Sequence, residues 1–107
     1  MTKGVSVEPL VIARAVRVAV AAIDGVVVTR GRFAFFGTYG PGEVVPGVVV
    51  SRERNQLTLD VHVIAAPSWY LPELAKEVRW VARQVVEQLG AGPISQCDVT
   101  IEDLQET

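Results

Sequence analysis

Residues 71–89 read LPELAKEVRWVARQVVEQL and decide the fold of this chain, because their apolar positions recur at the spacing of one amphipathic helix. Pro72 suits the first turn of that helix, and Gly90, with Pro93 beyond it, ends it. Charged and amide residues fill the opposite face, so the helix is expected to cover a core with one side only. The apolar face consists of Leu71, Leu74, Ala75, Val78, Val81, Ala82, Val85 and Leu89.

Length and composition limit the chain to one small globular domain, residues 1–107. Half of its residues are apolar, and ten basic residues stand against twelve acidic ones, for a formal charge of -2. That balance gives no electrostatic reason to expect a nucleic-acid partner. Cys97 is the single cysteine and no secretory signal precedes the first helix, so a cytoplasmic location is expected. The apolar run Leu10 to Val28 is too short and too charged to span a membrane.

A second helix and four strands complete the predicted elements. Glu8 and Pro9 open the helix, which runs to about Ile23, where Asp24-Gly25 ends it. The last residues, Leu104 to Thr107, are expected to form a loose tail. The predicted strands are Val26 to Thr29, Val44 to Arg54, Leu57 to Ala65 and Ser95 to Glu102.

Apolar and polar residues alternate along the strand Leu57 to Ala65, which indicates a sheet with one buried, apolar face and one solvent-exposed, polar face. Its leucines and valines point one way, whereas Thr58, Asp60 and His62 point the other. The fold class predicted from this pattern is α+β in two layers. Two helices pack on one face of a mainly antiparallel sheet of three to four strands, in the order α-β-β-β-α-β.

Several segments, in the same order along the chain, resemble the bacterial alkaline shock protein family, whose members are also described as envelope or general stress proteins. The likeness starts in the first helix and continues through Gly25-Val26. It is most specific where the second helix opens, and it ends in the alternating strand through Val99 and Ile101. The matching helical segments are Val11-Ile12-Ala13-Arg14 and Leu71-Pro72-Glu73-Leu74-Ala75-Lys76-Glu77-Val78.

The resemblance implies a non-enzymatic, abundant cytoplasmic protein without a cofactor. It also implies self-association, and some relatives gather at the inner face of the cell membrane by binding a membrane-anchored partner. No catalytic or ligand residues are established for the family, so none is assigned to this chain. The family often has a small polar residue two positions before the helix-opening proline, where this chain has Tyr70. Ser68 or the backbone is therefore expected to cap the helix.

One polar group could imitate a metal or acid-base site. Asp60 and His62 share one strand face, and Asp98 and Glu102 share the outward face of the last strand. A solvated polar sheet face is the competing and favoured interpretation, because one histidine without repeated ligand spacing gives little support for a metal.

Two further motifs are better explained by structure than by chemistry. Gly37, Gly40, Gly42 and Gly47 lack the Gly-Lys-Ser/Thr ending of a phosphate loop, and a turn-rich hairpin loop explains them better. Cys97 alternates inward with its apolar neighbours, which is typical of a packed thiol rather than of a nucleophile.

The segment Arg30 to Glu43 is the best candidate for contact with a partner, because aromatic rings beside arginines can anchor a protein or stack on bases. The competing interpretation makes Phe33 and Phe35 inward residues of a strand extension. Trp69, Tyr70 and Trp80 form a second candidate area at the second helix. The candidate partner-binding residues are Arg30, Arg32, Phe33, Phe35, Phe36, Tyr39, Trp69, Tyr70 and Trp80.

Two functions of different classes follow from these observations. The first is a stress-related scaffold or interaction protein that self-associates and binds a membrane-anchored protein in envelope homeostasis. The alternative is an RNA- or nucleotide-binding module that uses the basic and aromatic residues from Arg30 to Tyr39. The sequence offers no catalytic constellation that would favour an enzyme over either function.

Overall fold

A computed structural model describes residues 7–29 and 35–105 and contains two helices and six strands among them. Helix α1 spans Pro9–Ala21 and helix α2 spans Leu71–Gln88. The strands are β1 (Val26–Val28), β2 (Gly37–Gly40), β3 (Glu43–Pro46), β4 (Val48–Glu53), β5 (Gln56–Ala65) and β6 (Ile94–Leu104).

Strand β5 is the centre of a four-stranded sheet. Strands β4 and β1 both pair antiparallel with β5 on one side, at its first and second halves respectively, while β6 runs parallel along the other side. Two of the three pairings are antiparallel, so the predicted mainly antiparallel sheet is confirmed. The pairing of β5 with β6 also confirms that Asp60 and Glu102 lie on neighbouring strands.

The segment predicted as one strand from Val44 to Arg54 is in fact two strands that meet at Gly47. This residue has φ +85°, and a Cβ atom at its position would lie 2.4 Å from Val28 Cγ1 and 2.5 Å from the carbonyl oxygen of Thr29. A tight bend at a residue without a side chain therefore separates β3 from β4.

Part of the predicted loop from Arg30 to Glu43 is likewise a strand. Strand β2 pairs with β3 in an antiparallel hairpin that forms its own two-stranded sheet. Pro41 and Gly42 connect the strands, and Gly42 has φ +70°, as the second central residue of a type II turn requires. The turn-rich hairpin predicted at Gly37, Gly40 and Gly42 is confirmed, whereas strand β2 was absent from the predicted strands.

Both helices cover one face of the main sheet and run antiparallel to each other. Trp69 Nε1, just before α2, donates a hydrogen bond of 2.9 Å to the carbonyl of Asp24, just after α1. At the other end, Arg52 reaches the carbonyls of Val7 and Ala91, which flank the opposite helix ends. The two-layer arrangement predicted from the sequence is confirmed. The largest fully buried side chains of its core are Ile12, Leu57, Leu59, Leu74, Val16, Val20, Val48, Val61, Val63, Val78 and Val86.

The ends of two elements differ from the prediction. Helix α1 stops at Ala21 rather than near Ile23. The start of α2 agrees with the prediction of a backbone arrangement rather than a Ser68 cap, because no side chain caps it and the carbonyl of Tyr70 accepts the first backbone bonds. Strand β6 continues through Leu104 because its backbone follows β5 to the end, and the amide of Gln105 donates to the Ala65 carbonyl. The predicted tail therefore does not begin at Leu104.

Candidate functional site

The hairpin displays an apolar patch on its outward face. Tyr39 and Val44 are cross-strand neighbours with exposed side chains, whereas the next pair along, Thr38 and Val45, is buried. The ring of Phe35, also exposed, lies 5.9 Å from the ring of Tyr39 in a tilted arrangement. We call Phe35, Tyr39 and Val44 the hairpin patch. Val44 was not among the sequence candidates, although the alternation around Gly40-Pro41-Gly42 could have revealed it.

A buried threonine fixes the hairpin to the main sheet. Thr38 Oγ1 donates to the carbonyl oxygen of Val48 at 2.6 Å and accepts from the amide of Val50 at 2.9 Å. The hydroxyl thus satisfies two backbone groups at the edge of β4 that a strand would otherwise pair. This contact positions the hairpin patch on a rigid support.

Helix α1 holds the hairpin from the other side. Arg14 Nη2 lies 2.6 Å from Glu43 Oε2, and Arg17 Nη1 donates to the Pro46 carbonyl at 2.7 Å. Leu10 packs against Gly40 so closely that a Cβ there would lie 2.8 Å from its Cδ2 atom. The two arginines that mark the polar face of α1 therefore serve as hairpin anchors.

Phe36 covers a buried histidine on the sheet face away from the helices. Its ring stacks on the imidazole of His62 with centroids 4.1 Å apart and an interplanar angle of 13°. Only 3% of His62 is accessible to solvent. The prediction of a solvated polar sheet face is therefore wrong at this position, because Phe36, just before β2, lies over His62.

Two carboxylates clamp the His62 ring. Nδ1 lies 2.9 Å from Glu102 Oε2 and Nε2 lies 3.1 Å from Asp60 Oδ2, while Thr100 Oγ1 donates to the other oxygen of Asp60 at 3.0 Å. A carboxylate only accepts, so both bonds form together when both ring nitrogens carry hydrogens or when one carboxyl group is protonated. Glu102 Oε1 is buried and has no hydrogen-bond partner among the described residues. We call Asp60, His62, Thr100 and Glu102 the histidine cluster.

The geometry of the histidine cluster fits a structural role. Both ring nitrogens of His62 are occupied and Phe36 covers one ring face, so no nitrogen is presented to a substrate. Asp98, the fourth residue of the predicted polar group, bonds Gln96 instead. Within residues 7–29 and 35–105, no group of three or more His, Cys, Asp or Glu side chains is placed to hold a metal ion.

Cys97 lies buried in β6, as the alternation predicted. Burial raises the pKa of its thiol above the ordinary value of 9.0, and nearby Arg83 and Arg79 oppose that shift. Asp98 and Asp60 reinforce it. Because the folded chain holds this proton more tightly than the unfolded chain, the thiol contributes stability below pH 9 that is lost as the pH rises through its folded-state pKa.

We therefore expect the free energy of unfolding to fall more steeply above pH 9 in the natural chain than in a Cys97→Val variant. Urea denaturation at a series of alkaline pH values measures both slopes. Parallel curves for the two proteins would show that Cys97 does not contribute to the loss. The same burial predicts that a thiol reagent modifies the native protein far more slowly than the urea-unfolded one.

Three of the remaining sequence candidates lie on or next to α2. Trp69 is half-buried and packs on the core, so it is a structural residue of the helix ends. Tyr70 is exposed at the start of α2, and Trp80 is exposed on the outer face of the same helix. The structure brings Phe35 and Tyr39 together and turns Phe36 toward His62. Arg30, Arg32 and Phe33 lie outside the described residues.

These features define a two-layer α+β domain with an anchored, apolar hairpin and a buried polar cluster beneath its base. A profile of the alkaline shock protein family, described by its cell envelope-related function, matches residues 1–106. The chain belongs to this family, which confirms the resemblance drawn from the sequence. No curated protein and no solved structure is similar enough to the chain to count as a match. In the part of the chain that the structure describes, neither helix has the length and apolar character needed to cross a bilayer.

Proposed function

We propose that the chain is a non-enzymatic, stress-related interaction protein that self-associates and binds a membrane-anchored protein from the cytoplasmic side. Membership in a family with a cell envelope-related function supports a role connected with the cell envelope. The observation that carries the proposal is the hairpin patch, in which three apolar side chains face solvent on a support fixed from two sides.

A rigid apolar patch favours association because little conformational freedom is lost when a partner covers it. Thr38 and Arg17 fix the backbone of the hairpin before any partner arrives. Tyr39 adds a large amphipathic ring, the kind of side chain that dominates the energy of protein interfaces. A substrate pocket would instead need convergent polar groups that are free to bind a ligand. In the histidine cluster, both ring nitrogens of His62 are already hydrogen-bonded to Glu102 and Asp60.

Affinity capture from membrane extracts tests the proposal with matched variants. Tyr39 and Tyr70 are equally exposed, at 66% and 68%, and differ in that only Tyr39 belongs to the hairpin patch. We expect the tagged 107-residue chain to retain a protein with a membrane-spanning segment. A Tyr39→Ser, Val44→Ser double variant should weaken that binding about tenfold or more, as expected for loss of an interface anchor, while Tyr70→Ser leaves it unchanged.

The variants also separate the alternatives. Equal retention by all proteins would remove the hairpin patch as the binding surface, and loss in Tyr70→Ser alone would move the surface to the start of α2. RNA binding at low salt that disappears in an Arg30→Ala, Arg32→Ala variant would favour the nucleic-acid alternative over the protein partner.

A further inference from the structure

Strand β6 forms one border of the main sheet. In the part of the chain that the structure describes, it pairs with β5 alone, and the register is regular from Gln96 to Ile101. On the opposite border, Thr38 already occupies backbone groups at the edge of β4. A long strand at the border of a sheet presents a row of backbone groups that can pair with another chain.

The direction of the backbone groups on β6 follows from the neighbouring ladder. The amide of His62 donates to the carbonyl of Gly47 on the β4 side, so the residues of β5 on either side of His62 turn their backbone groups toward β6. The bonded residues alternate along each strand of a parallel pair. In the register of β5 and β6, the residues that turn their backbone groups away from β5 are Cys97, Val99 and Ile101.

Arg79 of α2 confirms this direction and covers one end of the edge. Its Nε donates to the outward carbonyl of Cys97 at 3.1 Å. Beyond that bond, the amides of Val99 and Ile101 and the carbonyl of Val99 have no hydrogen-bond partner among residues 7–29 and 35–105. Both residues are partly exposed, so their backbone groups can pair with an extended segment from outside.

We propose that the edge of β6 binds an extended, basic segment of another protein as an added strand of the main sheet. This surface is separate from the hairpin patch, and the inference goes beyond the proposed function. Cys97, Val99 and Ile101 turn their side chains toward the helices and pack on the core. Apolar side chains therefore suit the same face of the added strand, and its opposite face lies beside the polar face of β6.

The polar face of the sheet favours a basic segment. Asp60, Asp98 and Glu102 all carry carboxylates there. Asp98 is exposed, so its carboxylate is open to a lysine or arginine at a neighbouring position of the added strand. A second copy of this chain is a poor occupant, because its own β6 would bring Asp98 and Glu102 against the same acidic face, where like charges repel.

A short blocked peptide in which valine and lysine alternate is the probe, and fluorescence anisotropy follows its binding to the 107-residue chain. One methylated form carries N-methyl groups on the valine amides, and a second form carries them on the lysine amides. Successive amides of a strand point to opposite edges, so only one form keeps the donors that face β6. We expect one form to bind as well as the parent peptide and the other at least about tenfold more weakly. Equal binding by the two forms overturns the added strand.

Hydrogen exchange locates the parent peptide on the chain. We expect the amides of Val99 and Ile101 to exchange about tenfold more slowly in the complex, because each gains an acceptor, while the amides of β1 are unchanged. Protection that is absent even at a high excess of peptide, or that is confined to another element, overturns the assignment to β6.

Asp98→Lys tests the recognition of basic side chains. It should raise the Kd of the valine-lysine peptide about tenfold, since a repulsive cross-strand pair replaces an attractive one, and a valine-glutamate peptide should bind this variant tighter by a similar factor. Glu53→Lys is the matched control, because it makes the same change at an exposed position of β4, and it should leave both affinities unchanged. Equal effects of the two variants, or no gain with the glutamate peptide, would overturn the selection of a basic segment by β6.

Discussion

Gly47→Ala is expected to lower the free energy of unfolding by about 3 kcal/mol, the sum of a left-handed backbone strain of about 1 kcal/mol and an overpacking cost of about 2 kcal/mol. The added methyl group would meet Val28 Cγ1 at 2.4 Å and the Thr29 carbonyl oxygen at 2.5 Å, and the backbone oxygen cannot move aside cheaply. The amide of Gly47 also donates to Phe36 and its carbonyl accepts from His62, so a shift there disturbs both sheets. Equilibrium urea denaturation measures the loss.

Gly42→Ala provides the control for backbone strain alone. Gly42 also has a positive φ, of +70°, but nothing lies within 4 Å of its virtual Cβ atom. We expect this variant to lose only about 1 kcal/mol. Equal losses at Gly42 and Gly47 would mean that the close approach of β1 to the bend contributes nothing.

His62→Ala is expected to cost about 3 kcal/mol, because it empties a ring-sized space and leaves buried carboxylate oxygens without donors. Glu102 would then have neither oxygen paired, and Phe36 would lose the ring on which it stacks. Urea denaturation gives the overall loss. Hydrogen exchange should show that His62→Ala speeds the opening of the hairpin amides more than that of the α2 amides, since Phe36 joins the hairpin to the cluster.

Two further variants test the cause of that loss. Adding Glu102→Gln to His62→Ala should recover part of the stability, because an amide is less costly to bury without a partner than a carboxylate. Asp98→Ala changes an exposed residue on the same strand that accepts a hydrogen bond from Gln96, and it should alter stability by less than about 0.5 kcal/mol. No recovery in the double variant would show that the cavity, rather than the carboxylate, sets the cost.

The helices and the central strand were predictable because their signals are local. In residues 71–89 the apolar residues repeat with the helical period, and in residues 57–65 they alternate. Each pattern therefore predicts both the conformation of its segment and the face that is buried. The two-layer arrangement follows from those faces, since each needs a cover. Family membership was also readable, because the segments that carry it are these same local elements.

The hairpin and the histidine cluster depend on contacts between distant residues. Nothing near Thr38 indicates that its hydroxyl will pair with β4, and nothing near His62 indicates that Phe36 will stack on it. The close approach of Val28 and Thr29 to Gly47 is likewise a contact between distant residues, which a linear pattern does not encode. The sequence did place Asp60, His62 and Glu102 on outward strand faces, but which of them touch was decided by the parallel register of β5 and β6.

A photo-crosslinking amino acid at Tyr39, introduced in living cells, tests most directly whether this chain works by binding a protein. Glu53, exposed on β4 beyond the hairpin, provides the matched control position. We predict a discrete adduct to a membrane protein from position 39 and none from position 53. The absence of an adduct at position 39, or the same adducts from both positions, would contradict the account.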